Sequence, residues 1–462
     1  MPPRVRPPTP IPVRHPHAAG IDVHSDMHMV CVPPGAAPPP DPAAAGLPPH
    51  VRRFGAYTAD LRAIADYLTA AGVTTVAMES TGVYWVPLFE ALEARGFEVL
   101  LVEPGQLSHC GARPKTDVLD CQWIQRLHTY GLLNGSFRPP DAVLALRGYH
   151  RQRQMLVRYA AGHVRHVQKA LEQMNVKLTE VVSDVMGLTG RRVIRAILAG
   201  ERDPDVLAGL RDKHCKATRA EIARALDGSW RAEHVFALGQ AFALVETYEQ
   251  QVAACDRRIE AEVAGLPARS GDKVKTRPAR TRGRKRNDLG FEAAVPLFRA
   301  LGVDLTAIPG IDVGTALVVL SEIGVDVSRF PTEKHFASWL GLCPRSATSN
   351  KTSRKVAPRR GRNRVAQALR MAAQAVGRTQ SPLGAFYRRV RGRLGGIGAC
   401  TATAHKLARL VYRMLSRGAE YVATSLAEYE ARLRAQTERA LRRKAATLGF
   451  DLVPRGQPAP VG

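Results

Sequence analysis

The sequence predicts a multidomain protein: an N-terminal α/β unit, a helical middle region and a mostly α-helical C-terminal part. Two observations carry this. Between Gly20 and Leu127, short β-branched or apolar runs alternate with stretches of helical spacing, the pattern of an α/β unit with parallel strand pairing. Further on, Val157, Ala160, Val164, Val167, Leu171, Met174 and Leu178 step alternately by three and four residues, which is a heptad seam. A chain of 462 residues is long enough for about three domains with cores of their own.

Taken in order, residues 1–17 are rich in Pro and Arg and read as a flexible arm. Residues 18–140 form the α/β domain. Gly20-Ile21-Asp22-Val23-His24 opens an apolar alternation running through Met27, Met29 and Cys31, a strand and hairpin. Pro33 to Pro49, dominated by Pro and Ala, reads as an irregular insertion. Leu61 to Ala71 has helical spacing and stops at Gly72; Val73 to Met78 is a buried strand ending at Glu79-Ser80-Thr81-Gly82. A helix over Trp85 to Ala94, a strand over Phe97 to Val102 and a helix opening at Lys115-Thr116-Asp117 complete the unit. In the helical region, 141–265, the heptad seam is followed by a second stretch from about Phe242 to Val263, with Leu244, Tyr248, Val252, Cys255 and Ile259 on one stripe. Two readings stand side by side here: an antiparallel hairpin packing on itself, or a surface for self-association. Residues 266–295 are a basic linker, in which Arg282, Arg284, Lys285 and Arg286 form part of a backbone-binding strap. The C-terminal domain, 296–435, carries Ile308-Pro309-Gly310 and Gly314, a turn like that of a helix-hairpin-helix, whose backbone N–H groups would face a DNA phosphate. Residues 436–462 read as a basic, fraying tail.

Composition narrows the function. Lys and Arg number 67 against 41 Asp and Glu, a formal charge of +26, which points to a polyanionic partner, nucleic acid first. No apolar run reaches the ~20 residues of a transmembrane helix, and the N-terminal arm lacks the apolar core of a signal peptide. The seven cysteines are scattered without a Cys-x-x-Cys pair, which suits reduced thiols in the cytoplasm rather than disulfides or a zinc site.

Two groups of residues carry candidate chemistry. Asp22 lies inside the first strand, Glu79 at the end of a later one, and Asp117 and Asp120 three apart on one helical face. An acid within an apolar strand is costly unless something neutralises it, and hard oxygen ligands from several elements suit Mg²⁺. The other group is the polar stretch Gly341-Leu342-Cys343-Pro344-Arg345-Ser346-Ala347-Thr348-Ser349-Asn350-Lys351, read as a loop between an apolar segment ending at Leu340 and a basic helix over Arg362 to Val376. A serine among cations, here Arg345, Lys351, Arg354, Lys355, Arg359 and Arg360, is where a nucleophile directed at phosphate would sit.

With Gly20-Ile21-Asp22, Met78-Glu79-Ser80-Thr81-Gly82, Lys115-Thr116-Asp117 with Asp120, Ile308-Pro309-Gly310, and Gly341-Leu342-x-Pro344-Arg345 with Ser349 and Lys351, the chain resembles the transposases of the insertion-sequence-110 family, bridge-RNA-guided serine recombinases of mobile elements. The resemblance implies an RNase H-like (RuvC-like) N-terminal domain, a coiled-coil region and a C-terminal transposase domain with the catalytic serine. It implies a quartet of Asp22, Glu79, Asp117 and Asp120 holding Mg²⁺, and Ser349 as the nucleophile that forms a phosphoserine link to DNA. Ser346 and Ser353 stay open as alternatives, because the family usually has glycine where Asn350 follows Ser349. The implied partners are donor and target DNA, a structured guide RNA and further copies of the chain, as dimers or tetramers, with no membrane. Two rival readings keep other classes open: a metal-dependent junction nuclease in which water attacks, and a non-enzymatic nucleic-acid binder.

Overall fold

Six residues with one acid among them, Ala18–Val23, form β1, and every one of them is buried. The computed structural model describes residues 11–36, 39, 46–108, 116–271, 286–343, 345–349, 352–356, 363–418 and 425–452, and β1 is the central strand of the first of two compact units, Met1–Arg138 and Pro139–Gly462. In the first unit β1 is followed by β2 (Met27–Cys31), β3 (Val51–Gly55), α1 (Thr58–Ala70), β4 (Thr75–Glu79), α2 (Trp85–Ala94), β5 (Glu98–Val102), a short α3 (Pro104–Ser108) and α4 (Asp117–Thr129). The sheet order is β3-β2-β1-β4-β5. β1, β2 and β3 pair antiparallel, and β4 pairs parallel with β1 and with β5. The RNase H-like arrangement expected for this part is thus the one found. Strand β3, Val51-Arg52-Arg53-Phe54-Gly55, is an addition to the sequence reading. Its two central arginines mask the alternation.

Side-chain alternation sorts β1 between two layers. Ile21 and Val23 join Ile64, Leu68, Leu88 and Leu92 in the core beneath α1 and α2. Gly20 and Asp22 have the opposite parity and belong to the face covered by α4. There Ile124 and Leu127 pack on Ala77 and Val102, and Cys121 packs on Met29 and Cys31. A Cβ on Gly20 would lie 2.2 Å from the backbone nitrogen of Gln125 and 2.5 Å from the carbonyl oxygen of Cys121. Only glycine lets α4 rest on β1 this closely. Gln125 Nε2 donates to the Ala18 carbonyl at 3.2 Å, tying the same helix to the same strand.

The second unit contains α5 (Asp141–Gln173), α6 (Leu178–Val181), α7 (Leu188–Leu198), α8 (Pro204–Gly209), α9 (Arg219–Leu226), α10 (Ala232–Gly265), α11 (Ala294–Leu301), a 3₁₀ turn (Leu305–Ala307), α12 (Val313–Ile323), α13 (Glu333–Trp339), β6 (Arg345–Ser349), β7 (Thr352–Val356), α14 (Arg364–Val376), α15 (Pro382–Arg417) and α16 (Leu426–Thr447). Helices α5 and α10 run antiparallel along each other: Arg153 meets Asp256 and Tyr159 meets Tyr248. Of the two readings of the heptad seam, packing of the chain on itself is what this pair displays. Val167, Leu171, Met174 and Leu178 are buried against α7, α9 and α10. The expected stripe on α10 is displaced. Leu244 is exposed and Tyr248, Val252 and Cys255 are half-buried, while Ile259 of that stripe is buried together with Leu238, Ala241, Phe242, Val245, Asp256 and Val263.

The helical region and the C-terminal helices, read from sequence as separate domains, fall in one unit. Buried Glu322 on α12 accepts bonds from Arg147 Nε (3.1 Å) and from Arg151 Nε and Nη2 (2.8 and 2.6 Å) on α5. Burial alone would raise this carboxyl, but the arginines hold it below its usual range. Residues 316–323 of α12 are buried all round, as expected of a helix with apolar residues on every face.

Three other expectations are revised. The polar stretch read as a loop is a hairpin, with Arg345↔Val356 through Ser349↔Thr352 in antiparallel register. The tail read as fraying from 436 continues α16 to Thr447, started by a capping box of Ser425 and Glu428. Before Pro309 there is a single 3₁₀ turn where a helix-hairpin-helix would have a helix. Among the described residues no helix is long and apolar enough to cross a membrane.

Helix α13 is anchored by Glu333, which accepts from Arg409 and Arg413 of α15. Arg413 first and then Arg409 pull the Glu333 carboxyl down to about 2, against burial. A depressed carboxyl contributes stability that is complete above its ordinary value near 4.5 and is lost as pH falls toward 2. Urea unfolding of wild type and Glu333→Gln at several pH values should therefore give a difference of about 1 kcal/mol at pH 6 that vanishes near pH 2.

Candidate metal centre and nucleic-acid-binding residues

Asp22 sits on β1 one register step beyond Gly20 on the α4 face, and its residue is 6% exposed. Helix α4 starts four residues before Cys121, so its first residue, Asp117, is brought toward Asp22. Thr116 caps this helix by accepting from the Leu119 N–H at 3.3 Å, which fixes where the first turn begins. Asp117 and Asp120 both lie in that turn, where the helix dipole favours negative charge. Glu79 is the last residue of β4, and its Oε1 accepts from Thr81 Oγ1 at 3.0 Å. Gly82, at φ +56°, turns the chain away just after it.

Burial and neighbouring acids act together on two of these carboxyls, Asp22 and Glu79. Burial pushes the Asp22 carboxyl up, His24 opposes this, and Asp120 and Asp117 raise it further. Glu79 is also raised, first by burial, with Asp22 and Asp120 adding to it and Thr81 opposing. Acids placed so that they raise the proton affinity of Asp22 and Glu79 concentrate negative charge, which a divalent cation relieves. The tightest grouping includes a residue outside the quartet. His24 Nε2 lies 3.0 Å from Asp22 Oδ2 and 3.6 Å from Asp117 Oδ1, and one ligand atom from each of Asp22, His24 and Asp117 falls within 4.8 Å of the others. The residues present therefore fit a hard divalent ion, with Asp22 and Asp117 nearest and Glu79 and Asp120 adding to the field. The sequence reading passed over His24, although the Asp-x-His spacing places the two on one side of the extended chain.

The other candidate residues belong to the second unit. Ser349 ends β6, paired with Thr352, while Ser346 pairs with Lys355 and Ser353 with Thr348. Arg345, Arg354 and Lys355 belong to the same ladder. Lys351, Arg359, Arg360, Arg282, Arg284 and Lys285 lie outside the described residues. Arg286 is ion-paired with Asp184, so its charge is already matched within the chain. Pro309 and Gly310 are half-buried and Gly314 is exposed. Gly310, at φ +89°, would place a Cβ 2.7 Å from the Ala372 carbonyl oxygen; packing against α14 by itself explains this glycine.

An RNase H-like sheet with acids from β1, β4 and the first turn of α4 gathered at one place defines a domain of the DEDD type. Comparison with known families agrees: residues 19–176 match a model for DEDD transposases described as "Transposase", and residues 304–388 match the "Transposase IS116/IS110/IS902 family". The chain belongs to the IS110 family of transposases. A curated relative from Streptomyces coelicolor, the "Insertion element IS110 uncharacterized 43.6 kDa protein", is 36% identical over 90 residues, which is 19% of this chain. The match spans 22% of that relative's length.

If these carboxylates repel one another in the folded state, Asp22→Asn should stabilise the metal-free protein. In EDTA the variant is expected to melt roughly 2–4 °C above wild type. Millimolar Mg²⁺ should raise the wild-type melting temperature and leave the variant's unchanged. Scanning calorimetry decides; a variant that melts lower in EDTA and still responds to Mg²⁺ contradicts the assignment.

Proposed function

We propose that the protein is a DNA transposase of a mobile insertion element that cuts and rejoins DNA through a phosphoserine intermediate. The observation that supports this reading is the grouping of Asp22 with His24 and Asp117, with Asp120 acting on Asp22 and Glu79, in a chain of the IS110 family. Asp22, Glu79, Asp117 and Asp120 would hold Mg²⁺, which when bound neutralises charge on the scissile phosphate. In the second unit the Ser349 hydroxyl would attack phosphorus. The Ser–O–P bond forms as the bond to the 3′ oxygen breaks, the serine proton passes to the departing 3′-hydroxyl, and the bond energy is kept in the covalent link, so rejoining needs no nucleotide cofactor. Arg345 and Lys351 would balance charge on the phosphoryl oxygens. Donor and target DNA would be selected by pairing with a structured guide RNA, with the protein holding backbone, and dimers or tetramers would bring the ends together.

The position of His24 favours a second reading. An imidazole beside two carboxylates is a candidate general base for water, as a junction nuclease would need. The two readings separate on the purified protein with its co-purifying RNA, Mg²⁺ and end-labelled DNA spanning an element junction. A labelled band that survives SDS, shifts with the mass of the protein and is lost in Ser349→Ala supports the recombinase. Cut DNA with no adduct in either protein supports the nuclease. An adduct that persists in Ser349→Ala transfers the role to Ser346 or Ser353.

A further inference from the structure

Helix α15 is broken at one residue. Gly395 has φ +71° and ψ 178° inside an otherwise helical run from Pro382 to Arg417, so the element is two helices meeting at an apex. Every residue from Arg391 to Ile397 is exposed. Two of them are large and apolar: Leu394 is 50% exposed and Ile397 is 88% exposed. Val390 and Ala399, on either side, are buried, so Leu394 and Ile397 stand out as the exposed large apolar residues of this helix. A Cβ built on Gly392, Gly395 or Gly396 meets nothing within 4 Å. At Gly392 and Gly396, which have ordinary backbone angles, no neighbour in the fold demands glycine. What their small size leaves is a slender apex that another molecule's surface can approach closely.

The charge around this apex selects the kind of molecule. From Lys334 to Ala419 the sequence contains 19 Lys and Arg and no Asp or Glu. Arg391 and Arg393 directly precede the apolar pair and have no carboxylate partner among the described residues. A second copy of this chain would bring the same excess of positive charge. A membrane surface calls for a broad apolar face along a helix, whereas only two large apolar side chains are exposed here. Apolar wedges flanked by cations are the means by which proteins enter the minor groove of duplex DNA and unstack a base step. The wide, shallow groove of A-form RNA gives such a wedge little to grip.

We propose that the Gly395 apex is a DNA-deforming element: Leu394 and Ile397 enter a base step from the minor groove, and Arg391 and Arg393 hold the flanking phosphates. This rests on the reading of the protein as one that acts on DNA, and it adds a contact in the second unit that binds and bends the duplex. All four side chains are exposed, so their replacement should leave the fold intact, as melting temperature will report.

The test uses the full-length protein and a duplex of about 30 base pairs carrying a donor and an acceptor dye at its ends, a length whose bending is readily seen as end-to-end shortening. Wild type should bind and raise energy transfer. Leu394→Ala/Ile397→Ala should keep the salt dependence of binding and lose most of the rise in transfer. Arg391→Gln/Arg393→Gln should reduce the slope of log K against log salt by about 2, close to 0.9 for each lost phosphate contact. Wild-type bending retained in the apolar variant overturns the wedge, and so does an unchanged salt slope in the arginine variant. If the variants lose binding to an RNA duplex or to anionic vesicles but not to DNA, the apex serves that partner and the proposal falls. Wild type that binds no duplex DNA removes the transposase reading and this one together, whereas wild type that bends DNA just as the variants do removes only this one.

Discussion

The first unit depends on one close approach, that of the α4 backbone to β1 at Gly20. Two atoms of α4 stand where a Cβ would be, so the strand and helix meet at a distance that other residues forbid. This contact sets how near the acids of the strand and the helix can come. Asp22 is the next residue of the same parity on the strand, and Asp117 lies one turn before Cys121 on the helix. A wider gap would carry the first turn of α4 away from the strand and separate the acids. β4, paired in register with β1 from Ala18↔Thr75 to Ile21↔Met78, delivers Glu79 at the same end of the sheet. The helix-sheet contact and the strand register together account for acids from three elements gathering at one place.

How the chain uses its acids elsewhere makes the contrast informative. With 67 basic residues against 41 acidic ones, a buried or half-buried carboxylate in the second unit readily finds arginine. Glu322 meets Arg147 and Arg151, Asp256 meets Arg153, and Glu333 meets Arg409 and Arg413. These pairs hold helices together, and at buried Glu322 or Asp256 removing the partner leaves an unmatched buried charge. In the first unit Asp22 has a histidine and other acids for neighbours, and burial works against its charge. Among the described residues no arginine is paired with Asp22, and a divalent cation would relieve the charge that its acidic neighbours add.

Much of this was legible in the residues. The strands β1, β4 and β5 and the helices α1, α2 and α4 follow from β-branched runs, helical spacing and the stops at Gly72 and Gly82. Asp22 stood out in the sequence because an acid inside a buried strand has few structural explanations. What was hidden has physical causes. β3 carries Arg52 and Arg53 at its centre, so its apolar content is too low to register. The hairpin of β6 and β7 is built mostly from Ser, Thr, Arg and Lys, with only Ala347 and Val356 apolar, so its sequence has no apolar alternation to distinguish it from a loop. On α10 small and polar residues blur the stripe, and the core is taken up through Phe242 and Val245 with Leu244 left outside. His24 was hidden because its significance lies in its distance to Asp117, which belongs to an element almost a hundred residues away.

The central claim is that β1, β4 and α4 build one divalent-cation site. The most direct measurement is a titration of the full-length protein with Mn²⁺, followed by electron paramagnetic resonance and comparing wild type with Glu79→Gln. Glu79 is the test because it comes from a different strand and lies outside the closest trio. The account predicts one Mn²⁺ bound per chain, held about tenfold less tightly in the variant, since each carboxylate ligand lost weakens a hard-cation site. Equal affinity in both proteins, or no bound Mn²⁺ in wild type, would contradict it.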